Sequence, residues 1–243
     1  MNAPNRVDSL TAKVDRVRAL LQRAQQDFSP VVLASSFGVE DMLLTHIIAN
    51  EFPGIGIFTL DTGRLPEETY RLIDEVRSRY EIDIAIYAPD GVALEKFVRQ
   101  EGVNAFYRSV ELRKACCSIR KVEPLRRALA GKRAWITGLR RAQAVTRNAL
   151  AEIEQDPDNK LTKISPLADW SEREVWNFAR ANDIPTNELH DKGYASIGCA
   201  PCTRAITPGE DVRAGRWWWE SADGKECGLH PAMPKQGGKI IHS

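Results

Sequence analysis

Apolar positions along this chain alternate between two rhythms. Val7, Leu10, Val14, Val17 and Leu21 recur at spacings of three and four, which predicts an amphipathic opening helix. VVLA at 31–34 is instead a short continuous apolar run, a buried-strand signal, and it leads straight into SSFGVED. Ser35, Ser36 and Gly38 predict a turn, and Glu40 and Asp41 suit the first turn of a helix carrying Met42, Leu43, Ile47 and Ile48. The unit then repeats. GIGIFTL predicts a second strand, DTGRLP its turn, and EETYRLIDEVRSRY a helix with Pro66 near its start. IDIAIY predicts a third strand, ALEKFVRQ a further helix and RAWITGL a fourth strand. LTKISPL adds an expected edge strand before DWSEREVWNFAR, a helix with Ser171 and Glu174 at capping-box spacing.

Strands alternating with helices imply parallel βαβ units, hence an α/β fold with a doubly wound, mostly parallel sheet flanked by helices. Such sheets bind ligands beyond the carboxyl ends of their strands. Three of those ends carry distinctive turns: Ser35 to Gly38, Asp61 to Gly63, and Gly138 to Arg141. After about residue 183 the alternation stops, and a stretch rich in Gly, Pro and Trp predicts irregular structure and a mobile C-terminal tail. The expected organisation is one domain over 1–243, with 203–243 as the tail.

Composition narrows the class without naming a function. With 43% hydrophobic and 28% charged residues, the chain reads as a soluble globular protein, not a disordered or fibrous one. No apolar run approaches the roughly 18 residues of a membrane helix, and MNAPNRVDSLTAKVDR lacks a secretory apolar core, so the expectation is cytoplasmic, with no membrane partner. Charge is nearly balanced overall, 34 basic against 33 acidic residues, yet Arg113 to Arg147 holds eleven basic residues and one acid, Glu123, a net of +10. That stretch reads either as solvated helix faces or as an electropositive wall for an anion.

The five cysteines change the picture most. In a reducing compartment cysteines serve more often as ligands or nucleophiles than as disulfides, and an odd number cannot all pair. IGCAPC supplies Cys199 and Cys202, a C-x-x-C pair that is half a metal site, a redox pair or a coincidence. A redox pair normally sits where an early strand enters a helix, unlike this late loop. Cys116 and Cys117, adjacent in ELRKACCSIRK, bond each other only with strain but can both face one inorganic centre. Pooled, the two pairs give the four thiolates of a structural zinc or an iron–sulfur cluster. Adjacent cysteines fit the larger cluster better; zinc and unligated core thiols remain open. Cys227, in KECGLH, stands apart. Lys225 and His230 flank it, Arg213 and Arg216 precede it, and cationic neighbours favour the attacking thiolate. An exposed thiol with no task is the plainer alternative.

SSFGVED, LDTGRLPEETY, KACCSIRKVEPL, WITGLRR, HDKGYASIGCAPCTR, GRWWWE and KECGLH, in this order from about residue 31 to 230, resemble the assimilatory sulfonucleotide reductases, and within them the bacterial adenylyl-sulfate (APS) reductases. The resemblance implies an adenine nucleotide alpha-hydrolase-like sheet. It implies one 4Fe-4S cluster on Cys116, Cys117, Cys199 and Cys202, with Cys227 as nucleophile and Lys121 between cluster and substrate. It further implies that Ser35, Ser36 and Gly38 line the phosphosulfate loop, with Asp61 and Gly63 near the nucleotide. Arg140 and Arg147 would come from an arginine-rich loop, and Arg213, Arg216 and His230 from the closing tail. Ala144 departs from the family, which commonly has serine after the glutamine, and puts that local contact in question.

The implied reaction is reduction of APS to sulfite and AMP through a Cys227 S-sulfocysteine. With four cysteines on the cluster, a second thiol must come from outside, and thioredoxin is the expected donor. No nucleic-acid partner is expected, and a homo-oligomer is left open. Two rivals share some features. An ATP-dependent tRNA thiolation enzyme of the PP-loop class would carry S-G-G-x-D-S where this chain has SSFGVED, and a non-catalytic zinc-stapled nucleic-acid binder would make no use of Cys227. PAPS reductases resemble the chain but typically lack the four ligand cysteines. Trp217, Trp218 and Trp219 read as packing anchors, His46 as a partly buried histidine without a catalytic task, and His190 beside Asp191 as a turn element.

Overall fold

The computed structural model describes residues 9–143, 147 and 149–220. Six strands form one sheet in the order β3-β2-β1-β4-β6-β5, parallel throughout except for the β5–β6 pair. The strands are β1 (Val31–Ala34), β2 (Gly56–Leu60), β3 (Ile84–Tyr87), β4 (Ala134–Ile136), β5 (Ile153–Asp156) and β6 (Leu161–Ile164). Strand order reverses between β1 and β4, and a crevice therefore opens beyond their carboxyl ends. The doubly wound, mostly parallel α/β fold is the observed one. LTKISPL is corrected from edge to interior strand, because β6 pairs with β4 on one side and with β5 on the other. The edge is β5, whose sequence IEQD carries no apolar run to announce it.

Alternation along the strands divides the core into two layers. Val31 and Leu33 of β1 face a large cluster with α1 (Leu10–Asp27), α2 (Val39–Glu51), α3 (Glu67–Tyr80) and α7 (Glu172–Ala181). Val32, Phe58 and Trp135 point to the other face, covered by Leu125, Ala128 and Leu129 of α6 (Glu123–Leu129). α2 lies almost wholly buried, and α7 begins with the expected capping box between Ser171 and Glu174. α4 (Gly91–Glu101) buries none of its residues and packs against the Ser118–Val122 segment.

Cys116 and Cys117 end α5 (Val110–Cys117), which widens into one π-helical turn, Ser118–Val122, before α6 continues. A wide turn of this kind commonly marks a functional site. Among the described residues no helix is long and apolar enough to cross a membrane.

Candidate functional site

The loop after β1 is held by short polar contacts. The Ser35 amide donates to the Phe58 carbonyl at 2.9 Å, which ties the departing chain to β2. Ser36 donates twice to Asp41 Oδ2, from its amide at 2.7 Å and from its hydroxyl at 2.6 Å. Between them Phe37 adopts φ 60°, a left-handed conformation that costs a non-glycine residue on the order of 1–2 kcal/mol and is kept here by a ring only 1% exposed. Burial pushes the Asp41 carboxyl up to about 6, the Ser36 hydroxyl and amide pull it down, and the charge of Glu40 raises it again. Gly138, after β4, must be glycine: a Cβ there would collide with the Asp41 carboxylate and come within 2.9 Å of Glu40 Cβ. α2 starts at Gly38 with no side-chain cap, so its N-terminus offers backbone N–H groups to an anion.

A second network holds two arginines beside that helix end. Glu40 Oε1 accepts from Arg140 Nε at 2.9 Å and from Gln143 Nε2 at 3.0 Å. Gln143 Oε1 accepts from the Arg140 amide at 3.1 Å and from Arg147 Nη1 at 2.5 Å. Arg140 is thereby fixed while buried.

These groups line a cleft of about 880 Å³. Phe58, Leu60, Leu125 and Trp135 give it an apolar wall; Lys121, Arg213 and Arg216 face it from other segments. An apolar slot beside clustered cations can take a flat base at one end and an anionic group at the other. Arg216 stacks 4.8 Å over the Trp217 ring and donates to Ile197 O at 3.3 Å, while its buried Nε has no hydrogen-bond partner among the described residues. Gly198 makes room for it, since a Cβ there would lie 2.5 Å from Nη2.

Cys116, Cys117, Cys199 and Cys202, none of them disulfide-bonded among the described residues, line one small neighbouring cavity with Arg64, Arg113, Arg120 and Lys121. Among the described residues no three His, Cys, Asp or Glu side chains converge closely enough for a single metal ion. Burial pushes the Cys202 thiol up to about 12, helped by Cys199 and Cys117. At Cys199 burial acts upward too, but Lys121, the Thr62 hydroxyl, Arg216 and Arg120 outweigh it and leave the thiol below its usual range. The Cys199 thiol lies 3.3 Å from Thr62 Oγ1. Lys121, from the π-turn, lines both cavities.

The structure brings Ser35, Ser36, Gly38, Lys121, Arg140, Arg147, Arg213 and Arg216 to the cleft, and the four cysteines to its neighbour. Asp61 and Gly63 flank the cleft without lining it: Asp61 Oδ1 accepts from the Gly63 amide at 2.8 Å and the Tyr70 hydroxyl at 2.7 Å. Thr62, between them, lines it instead, and its carbonyl accepts from buried Arg120 at 2.6 Å. Cys227, His230 and Ala144 lie outside the described residues. The +10 stretch is divided: Lys121, Arg140 and Arg147 line the cleft. Arg113, Arg127, Arg140 and Arg141 are paired with Glu220, Glu123, Glu40 and Asp169.

The sequence does not mark Thr62, Glu40, Gln143 or the Arg113–Glu220 pair as site residues, although Thr62, Glu40 and Glu220 lie within LDTGRLPEETY, SSFGVED and GRWWWE, because their partners meet them only in the folded chain. His190 is a turn residue as expected, but it also lines the cleft, with Nδ1 2.8 Å from the Tyr194 carbonyl and burial lowering its pKa. Trp217 and Trp219 pack beside the thiol cavity as anchors, while Trp218 stays 40% exposed. His46 is partly buried against Tyr80, 3.0 Å from its hydroxyl.

A family model for the phosphoadenosine phosphosulfate reductase domain matches residues 30–205. Adenosine 5'-phosphosulfate reductase of Burkholderia cepacia is 58% identical over 221 residues, 91% of this chain and 88% of that protein. Its counterpart from Allochromatium vinosum is 55% identical over 223 residues, 92% of this chain and 87% of that one. Among solved structures, phosphoadenylyl-sulfate reductase from Candida auris, in a phosphate complex, is similar at TM-score 0.67 and 27% identity, covering 82% of this chain and 98% of its own. The FMN adenylyltransferase of Candida glabrata, at TM-score 0.52 and 15% identity over 90% of this chain and 76% of its own, shares the fold.

Proposed function

Because this chain belongs to the phosphoadenosine phosphosulfate reductase domain family, and within it to the adenosine 5'-phosphosulfate reductases, oxidoreductases acting on sulfur, we propose that it reduces APS to sulfite and AMP with thioredoxin as electron donor. The observation that carries this reading is Lys121, shared by a nucleotide-sized cleft and a cavity ringed by four thiols. The adenine would lie against Phe58, Leu125 and Trp135, and the phosphosulfate would face the α2 N-terminus, Lys121, Arg140, Arg147, Arg213 and Arg216. Those donors would neutralise charge on the phosphate and sulfonate oxygens as the S–O bond breaks.

Cys227 would act as nucleophile, with His230 beside it in sequence and 203–243 as the segment that delivers it. Its thiolate forms an S–S bond to the sulfonate sulfur, the S–O bond to phosphate breaks, and AMP leaves with the electron pair. A thioredoxin thiolate then attacks the Cys227 sulfur of the S-sulfocysteine and expels sulfite. The second thioredoxin thiol resolves the mixed disulfide and restores Cys227. Oxidation of that dithiol supplies both electrons.

Cys116, Cys117, Cys199 and Cys202 would hold one 4Fe-4S cluster. Four thiols spread around a shared, cation-lined cavity fit a multi-iron group better than a single ion. When bound, it would supply negative charge and a structural staple beside Lys121. The full reading is tested by incubating purified protein with APS without reductant. A sulfonate adduct mapped to Cys227 by mass spectrometry, with equimolar AMP, is expected; sulfite release at the normal rate by Cys227→Ser would falsify it.

A further inference from the structure

The root of the C-terminal segment, residues 216–220, is gripped from both cysteine pairs. On one side Arg113, wholly buried on the helix that ends in Cys116 and Cys117, forms a bidentate pair with Glu220: Nε to Oε1 is 2.7 Å and Nη2 to Oε2 is 2.9 Å. The same guanidinium lies 4.5 Å over the Trp217 ring. On the other side the Trp217 amide donates to the Cys202 carbonyl at 3.1 Å, and Thr203 pairs with Arg216 in an antiparallel bridge. Trp217 is held at φ 43°, a conformation that a tryptophan keeps only when its surroundings over-determine it. A buried ion pair contributes little net stability, but removing one partner strands a charge without water, so such a pair holds one arrangement against looser ones.

We infer that the Arg113–Glu220 pair is a positioning device that fastens the root of the C-terminal segment to the first cysteine helix, so that occupancy of the thiol cavity governs the order of that root. The inference rests on the reading that the four thiols share one bound group. Both grips hang on residues beside those thiols, so whatever joins the two cysteine pairs fixes one grip relative to the other. Cys227 stands seven residues beyond Glu220, a span of at most about 25 Å when fully extended. The pair therefore sets the point from which the proposed nucleophile reaches the cleft.

The test is amide hydrogen exchange by mass spectrometry on the full chain, as purified and after chelation of iron, in the parent and in Glu220→Gln, with iron and sulfide assayed on each sample. Chelation should speed exchange of 216–220 at least tenfold in the parent. Glu220→Gln should show the same acceleration with its iron retained, and chelation should then add less than about twofold. Arg113→Met/Glu220→Leu, which removes both charges and leaves neither stranded, should fold with parental far-ultraviolet dichroism, and its root should exchange at a rate insensitive to chelation. Parental exchange in iron-replete Glu220→Gln would overturn the anchor, and a full chelation response in either variant would overturn the coupling. A parent free of iron and sulfide would sink the cluster reading and the coupling with it, whereas faster root exchange in Glu220→Gln would still uphold the anchor. None of these readouts uses APS, so failure of the proposed reaction would be seen separately, in the adduct assay.

Discussion

The β1 loop and the thiol cavity sit side by side yet are built by opposite means. The loop is local: Ser35, Ser36, Phe37, Gly38 and Asp41 lie within seven residues, and their hydrogen bonds close among themselves and onto the neighbouring strands. The thiol cavity draws on the β2 turn, α5, the π-turn and a late loop, which only tertiary contacts such as Arg113–Glu220 and Cys199–Thr62 bring together. Regular sheet edges place backbone donors rigidly with few side chains. Irregular segments need buried charge pairs and shared ligands to reach comparable order.

The sharpest break in that comparison comes from sulfur. Cys227→Ser should lower sulfite formation at least 10³-fold while AMP binding, followed by calorimetry, stays within about twofold, because the loop side would be intact. Replacing Lys121 by Met should come next, since it lines both cavities: kcat/KM should fall by about 10²–10³, equivalent to about 3–4 kcal/mol of transition-state stabilisation.

Asp41→Asn probes the loop alone. The Asp41 carboxyl titrates near 6 in the folded chain against an ordinary value near 4, so folding favours its protonated form. Its contribution to stability is complete below pH ~4 and is lost as pH rises to about 6, a change of up to about 3 kcal/mol. Urea unfolding should therefore show the variant gaining on the parent progressively from pH 4 to 6 and no further above it. A constant difference across that range would remove Asp41 from this role. Ser171→Ala, which lines neither cavity itself although its neighbour Glu172 lines the cleft, should cost only about 1 kcal/mol through the lost cap of α7 and leave activity within about twofold; a larger activity loss would show that the cap also orders the cleft wall.

The same contrast explains what could be read from the sequence. Strand β1, the Ser35–Gly38 turn and helices α2, α3 and α7 carry their signals locally, in an apolar run, in first-turn acids, in Pro66 and in the Ser171–Glu174 box, and they fold where those signals place them. β5 escaped because IEQD gains its strand geometry only by pairing with β6, which that pairing turns from an edge into an interior strand. At the site, C-C and C-x-x-C announced themselves by spacing. Thr62 did not, since a threonine in a turn has no distinctive neighbourhood until Cys199 and Arg120 are folded onto it. Arg113 and Glu220, 107 positions apart, are visible as partners only in space.

The widened turn at Ser118–Val122 has a cost that shows only when the chain length changes. It is a single extra residue spliced into an otherwise α-helical run, and deleting any one of the five would let regular geometry resume. The wide turn advances the chain by about one residue's rotation less than regular helix, so the halves on either side would keep nearly their present phase. The same deletion inside α6, which has no such slack, would rotate everything beyond it by about 100° and carry Leu129 off the face that covers Phe58 and Trp135. What a deletion within the turn would forfeit is the placement of Lys121, which only the widened geometry sets between the two cavities.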